Sequence, residues 1–447
     1  GDFWLSKPTG YFMNYKKRAQ GMSAEFQGKT LTGNTWSTQN SVALSKGKFN
    51  RQMIQGVEAN QGPYRLRGAE NEPFITILSG TERIYIDGKL LTRGQEFDYT
   101  IDYNTSELVF TSRYLITKDT RIVAEFQYAD QNYARSLLQS ATHYETKKGA
   151  FWFNAYSEQD AKNQSLQQDL SSAQKFALAQ IGDQLSLAVI NSIDSVGYIE
   201  NQILYQLVDS LGYDSILVFS VDPNLAHFRA SFQYVGEHKG NYVFDSYNAL
   251  GKVYKWVAPQ AGVPQGDYSP NRNIITPKQK QMLSSGMNYQ VNRLLHIETE
   301  CAYTTNDKNT FSRLDSNDDQ GFSNRSKLVQ VIPLKKEEWK SVSLESYVEF
   351  EYLSTSFSPI EQYRKVEFDR DWNTRNKNYL GAQRSIYGGL KLSDKQNKSA
   401  KIEAQNYSIG TAFSGSRIFS DGNWKQKGWS AVWDASALNS KSNASNA

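Results

Sequence analysis

Cysteine is almost missing from this 447-residue chain: Cys301 stands alone. One thiol cannot close an intrachain disulfide, and it argues against a structural zinc centre. Histidine is nearly as scarce. His143, His227, His238 and His296 lie far apart, without the spacing by which imidazoles converge on a metal, and read as strand-surface or loop residues. Charge of one sign is also lacking. Fifty basic and 46 acidic residues leave a net charge of +4, scattered without blocks, which is too weak a bias to argue for nucleic acid. No run of 18 apolar residues occurs, so no transmembrane helix is expected; the best window, 176–190, is broken by Gly182 and Asp183. No signal peptide is visible and the opening GDFWLSKP reads like the middle of a protein, so a mature form or a fragment is expected. The chain lacks G-x-S-x-G, H-E-x-x-H and a Walker phosphate loop. The expectation is a non-enzymatic protein with no catalytic residue, no metal and no cofactor.

What is present is aromatic and alternating. Aromatics make up 13% of the chain, with 27 Tyr and 22 Phe, while mean hydropathy is −0.62. That combination suits strands whose apolar residues alternate with polar ones, in a soluble multi-sandwich protein or a membrane barrel alike. Residues 74–128 are the most legible stretch. Short β-branched and aromatic runs are separated by turn signals, which predicts a small β-sandwich module over 70–130. Asp87-Gly88 supplies a two-residue hairpin turn, and Asn104-Thr105 a second turn with Asn in the left-handed region. Ile84 and Ile86 share one face; Ile122, Ala124, Phe126 and Tyr128 share another, opposite Arg121, Val123, Glu125 and Gln127.

Residues 1–69 hold further strand-like runs, and Lys16-Lys17-Arg18 reads as a solvated basic turn. Residues 134–146 and 149–156 predict a hairpin closed at Lys147-Lys148. A long ordered excursion, 157–228, follows, with a Ser-capped helix at 172–181 and a strand pair at 203–208 and 214–220. Over 131–447 alternation is regular. Val342, Leu344, Val348, Phe350 and Tyr352 oppose Ser343, Glu345, Tyr347, Glu349 and Glu351; 295–303, 386–392, 400–407 and 428–437 behave alike. Strands of about 9–11 residues, apolar on one side and polar on the other, joined by short and long loops in alternation, are the pattern of an outer-membrane barrel. A soluble sandwich also alternates; strand length and aromatics near strand ends favour the barrel. On that reading Val348→Arg is costly and Glu349→Arg is tolerated.

Two acidic constellations are weak. In 315–321 (DSNDDQG) the glycine falls one position late for a calcium loop, and Ser326 occupies the bidentate position, so a solvated hairpin loop is expected. Asp98 and Asp102, four apart on a strand, lie about 13 Å apart, beyond the separation used in glycoside hydrolysis, and read as strand-end and turn residues. Recognition is more plausible in the aromatic loops. Phe176, Leu178 and Ile181 on the helix, and Tyr254, Trp256 and Tyr268 around 252–275, are the candidate partner contacts. Residues that only cover a barrel mouth are the plainer alternative.

The run GTERIYIDGKLLTRGQEFDYTIDYNTSELVF (80–110) resembles a module of very large outer-membrane proteins in gliding and type 9-secreting bacteria. A similar V-x-V-[DN]-G…L…DYTIDY block occurs in the barrel translocon of type 9 secretion. The phrases at 1–21, 60–74 and 252–270 resemble uncharacterised barrel proteins of the same bacteria. The resemblance covers about two thirds of the chain and brings no catalytic residues with it. It implies an all-β protein: an antiparallel transmembrane β-barrel, alone or as part of a larger one, carrying the sandwich module. Its expected setting is the outer membrane of a Gram-negative bacterium, where it would contact lipid and other envelope proteins as a scaffold or a transport and secretion component. The alternative is a secreted or surface-anchored adhesin that binds glycan or protein.

Overall fold

Period-two alternation becomes one very large sheet. In a computed structural model, thirteen strands pair antiparallel in chain order: Asp2–Ser6, Lys16–Lys29, Thr35–Ser45, Tyr133–Thr146, Gly149–Ser165, Gln279–Gln290, Leu295–Asp307, Gln320–Pro333, Val342–Leu353, Gln383–Asp394, Ser399–Ile409, Phe413–Gln426 and Trp429–Ser442. The structure describes all residues except 7, 46, 70–74, 130–132, 166–169, 315, 335–341, 376, 395–397, 427 and 444–447. The starts of the 70–130 and 74–128 assignments, residue 130 and Asp315 of the acidic loop therefore lie outside the described residues. The expected all-β fold with a large antiparallel sheet is present; among the described residues no ladder joins Asp2–Ser6 to Trp429–Ser442. Among the described residues no helix is long and apolar enough to cross a membrane.

The chain divides into two units, one of Gly1–Gln167, Pro277–Thr310 and Asp315–Ala447, the other of Gln168–Thr276 and Phe311–Leu314. In the first, the sheet is strongly curled. Lys17 and Glu158 stand on its second and fifth strands, about 14 Å apart on a flat sheet at about 4.8 Å per strand. Their Nζ and Oε2 atoms nevertheless meet at 2.6 Å across two intervening strands. The basic step expected to be a solvated turn is thus the start of a strand, with Lys17 buried on the concave face. Strand alternation, not local charge density, decided its orientation.

The module is a sandwich. One sheet orders Lys48–Gln55, Arg121–Tyr128, Arg83–Ile86 and Lys89–Leu90; the other orders Tyr64–Arg65, Glu107–Phe110 and Tyr99–Asp102. Its core packs Leu66, Ile84, Leu108, Ile122, Ala124 and Phe126, all fully buried. The module starts earlier than 70, because Lys48–Gln55 pairs residue for residue with Arg121–Tyr128. Asp87 (φ +50°) and Gly88 (φ +80°) make the expected hairpin turn. At the second turn the left-handed residue is Ser106 (φ +58°), not Asn104. The Asp102 carboxylate accepts the Asn104 and Thr105 N–H groups at 2.9 and 3.1 Å and moves the αL position down the chain.

The excursion is also redrawn. Strand Gly149–Ser165 runs well past 157, and the second unit continues to Thr276, beyond the expected end at 228. Its helix, Ser172–Ala179, carries a capping box: Gln174 N–H donates to the Ser171 hydroxyl, and Ser171 N–H donates to the Gln174 side chain. The expected strand pair is Leu204–Ser210 with Tyr213–Ser220.

Candidate functional site

The two faces of the curled sheet have opposite chemistry. Pairing registers fix the parity: Val348 lies beside Leu328 and Gly388, and the row continues through Ile297 on one side and Ala404, Ile418 and Ala437 on the other. Apolar residues on this convex face are exposed: Val42 at 59%, Phe153 at 50%, Val348 at 56% and Ile418 at 60%. Among the described residues its charges are Asp2, Lys16, Arg18, Asp307, Arg384, Asp394 and Lys441, each within three residues of a strand end. From Leu344 to Tyr352 is eight residue steps, about 27 Å along the strand or about 20 Å along the axis of a barrel with strands tilted by about 40°.

The concave face is filled, and it mixes apolar residues such as Leu137 and Met282 with many buried polar ones. Asn154, Glu158, Asp160, Glu300, Thr304, Ser323, Glu351, Ser385 and Glu403 are buried there. Three segments occupy it. Residues 8–15 bury Phe12, Met13 and Tyr15. Tyr11 and Phe12 donate their backbone N–H groups to the Glu300 carboxylate at 2.6 and 3.1 Å, and Asn154 Nδ2 donates to Thr9 O at 2.7 Å. The long connection 354–382 lies beside them. Its Arg364 guanidinium pairs with Glu351 and donates to Gln383 Oε1 at 2.5 Å, while Asn14 Nδ2 donates to Gln362 O at 2.6 Å. The sandwich module is the third, tied on by Arg51 Nη2 to Val366 O at 2.9 Å, Arg121 to Glu367 at 3.4 Å, and Gln127 Nε2 to Lys16 O. This explains why Val123, Glu125 and Gln127, opposite the row that faces the module's core, are buried as well.

Glu361 sits at this junction, 6% exposed, and its Oε1 has no hydrogen-bond partner. Burial drives its carboxyl up to about 7 against the opposing pull of Lys17, Arg83 and the Lys16 backbone, and Glu125 adds to the rise. None of Glu300, Glu361 or Arg364 was singled out from the sequence. The available signal was an isolated charge in an aromatic loop, as in Ile360-Glu361 and Tyr363-Arg364.

The candidate contact residues lie in the second unit, in two clusters. Leu178 is buried with Leu170, Ala188 and Ile274; Ile181 packs against them, and Phe176 on the same helix is 69% exposed. Tyr254, Trp256 and Tyr268 join an aromatic cluster around Tyr205 and Tyr242. Tyr254 stacks on Phe232 at 4.6 Å and lies 4.9 Å from Tyr268, and Trp256 meets Tyr213 at 5.5 Å. Tyr205 Oη accepts the Tyr254 N–H at 3.2 Å. A cavity of about 360 Å³ lined by Tyr254, Trp256, Lys255 and Asp245 opens beside this cluster. Asp98 and Asp102 act as turn residues, the first accepting the Thr92 N–H at 2.7 Å.

A family described as Domain of unknown function (DUF8818) matches residues 49–130, which is the sandwich including its Lys48–Gln55 strand. The match does not extend over the large sheet. No curated protein matches the chain. No solved structure matches it either.

Proposed function

We propose that the thirteen-stranded sheet is wall of an outer-membrane β-barrel, that the DUF8818 sandwich is a plug-like filler of its interior, and that the protein serves a non-enzymatic scaffold or transport role in an envelope complex. One observation carries this reading: burial is inverted, with apolar side chains exposed on the convex face and carboxylates and amides buried on the concave one. A soluble sandwich puts its apolar face inside, whereas a membrane barrel presents an apolar band about 25 Å tall to lipid and keeps its interior polar. The two open edges fit a larger closed wall, since unpaired strand edges are not tolerated against hydrocarbon. Additional strands would complete it. The second unit, with Phe176 and the Tyr254–Trp256 region, is the recognition element for another envelope protein.

Membrane partitioning tests this. The protein is expected in the outer-membrane fraction, resistant to alkaline extraction and dependent on detergent for solubility. Release into the soluble fraction as a monodisperse protein would overturn the barrel. It would favour a surface adhesin, whose motivating feature is the exposed aromatic set Tyr213, Tyr234 and Tyr247 of the second unit.

A further inference from the structure

The concave face of the first unit holds a cavity of about 300 Å³ whose wall is unusually cationic. Lys17, Lys48, Arg135, Lys278 and Lys280 line it, with Glu158 the carboxylate among the lining residues. These cations come from separate parts of the fold: three sheet strands, the residue preceding one of them, and the first strand of the module. Of the nearby carboxylates, Glu158 and Asp160 are engaged, and burial holds Glu361, which follows the lining residue Ile360, toward its neutral form. Glu158 Oε2 takes Lys17 Nζ at 2.6 Å and the Tyr156 hydroxyl at 3.0 Å. Asp160 takes the Arg135 guanidinium at 2.6 and 3.1 Å, and the Lys278 backbone N–H at 3.0 Å. Lys280 makes no ion pair among the described residues. Cations gathered in a partly buried cleft repel one another in a reduced dielectric, and a bound anion relieves that repulsion.

We propose that this cavity binds a phosphate monoester, with Lys280 and Lys278 as its principal ligands and Lys48 also in its lining. The donor chemistry selects phosphate over carboxylate. A planar carboxylate is best met by an arginine fork, and the fork present, Arg135, is held by Asp160. Lysine ammonium groups act as point charges suited to a tetrahedral dianion, which a phosphate monoester is above its second pKa near 6. The volume admits a small substituent beyond the phosphate itself. This inference rests on the interior of the first unit and is independent of whether its convex face meets lipid.

The test is calorimetric titration of the full chain with inorganic phosphate, with glycerol 3-phosphate, and with phosphatidic acid in mixed micelles. Saturable binding that weakens as salt rises is expected. Lys280→Gln should weaken it by about tenfold, the loss of one charge-assisted contact. Lys278→Gln should do the same, and it carries the test should Lys280→Gln fail to fold. Lys16→Gln, on the convex face, should leave binding unchanged. Binding of the two soluble phosphates supports a free metabolite as the source, and binding confined to phosphatidic acid supports a lipid headgroup. No saturable binding in any arm, or binding indifferent to both concave-face lysines, overturns the proposal.

Discussion

Val348 occupies the middle of strand Val342–Leu353, on the convex face, between Leu328 and Gly388 on the neighbouring strands. It is 56% exposed, so in a water-soluble protein Val348→Arg adds a solvated charge to an open surface and should change stability by about 0.5 kcal/mol or less. At a bilayer midplane the same substitution should cost about 2–4 kcal/mol, falling to about 0–1 kcal/mol near the interface. Ala400→Arg supplies the interfacial comparison, because Ala400 is the second residue of strand Ser399–Ile409 and faces the same way. The concave-face control suggested by alternation alone, Glu349→Arg, is unsuitable. Glu349 holds Arg325 through two contacts of 2.7 and 3.0 Å, and the substitution would set two guanidinium groups against each other. The pair is partly buried, and its loss should cost about 1–3 kcal/mol, the penalty of leaving a charged partner unmatched. The assay is reversible guanidinium unfolding from phospholipid vesicles, followed by tryptophan fluorescence. Equal effects of Val348→Arg and Ala400→Arg would refute a lipid-facing wall.

Glu361 predicts a pH dependence. Its folded value, raised from about 4.5 to about 7, means the folded state holds a proton that the unfolded state has released, so stability falls as pH rises through that window, by about 3 kcal/mol in all. Glu361→Gln should remove this slope and be the more stable protein at pH 8; parallel unfolding curves at pH 5 and pH 8 for the two proteins would refute it. Gly88→Val should destabilise the sandwich by about 1–2 kcal/mol from backbone strain alone. Its Cβ would also lie 2.5 Å from Glu367 Cγ, so loosening of the Arg121–Glu367 contact, read by hydrogen exchange at the module's edge, should accompany it. Leu178→Ala should cost about 2–5 kcal/mol in the second unit, while Phe176→Ser should leave its melting unchanged.

What could be read from the sequence was whatever is written locally. Period-two alternation along 342–352 or 400–407 assigns each side chain a face without reference to any partner strand, and those faces hold in the registers. The Asp87-Gly88 turn and the Ser171 cap are likewise set within four residues. Lys48–Gln55 lies outside the module expected over 70–130 because its partner, Arg121–Tyr128, is more than 60 residues away and no local signal marks the pairing. Lys17 was misread for a related reason. Three adjacent cations suggest solvent, and only the curl of the sheet brings Glu158 within reach of one of them.

The interior is where sequence reasoning had least to work with, and it is also where the fold is most particular. Residues 8–15 and 354–382 have no period, yet they bury Phe12, Met13 and Trp372 against concave-face residues such as Leu137, Met282, Tyr407 and Phe413. Their order comes from specific contacts: Glu300 receiving two backbone N–H groups, and Arg364 bridging Glu351 and Gln383. A wall that turns its apolar side outward cannot be held together by burial of that side in its own core. Its concave face supplies the order, through the apolar clusters around Phe12 and Trp372 and through hydrogen bonds and ion pairs, where leaving one partner unmatched costs about 1–3 kcal/mol and more for a charge. The filled interior thereby ties the sandwich module to the sheet. A function that required the module to leave would have to replace those polar contacts with water.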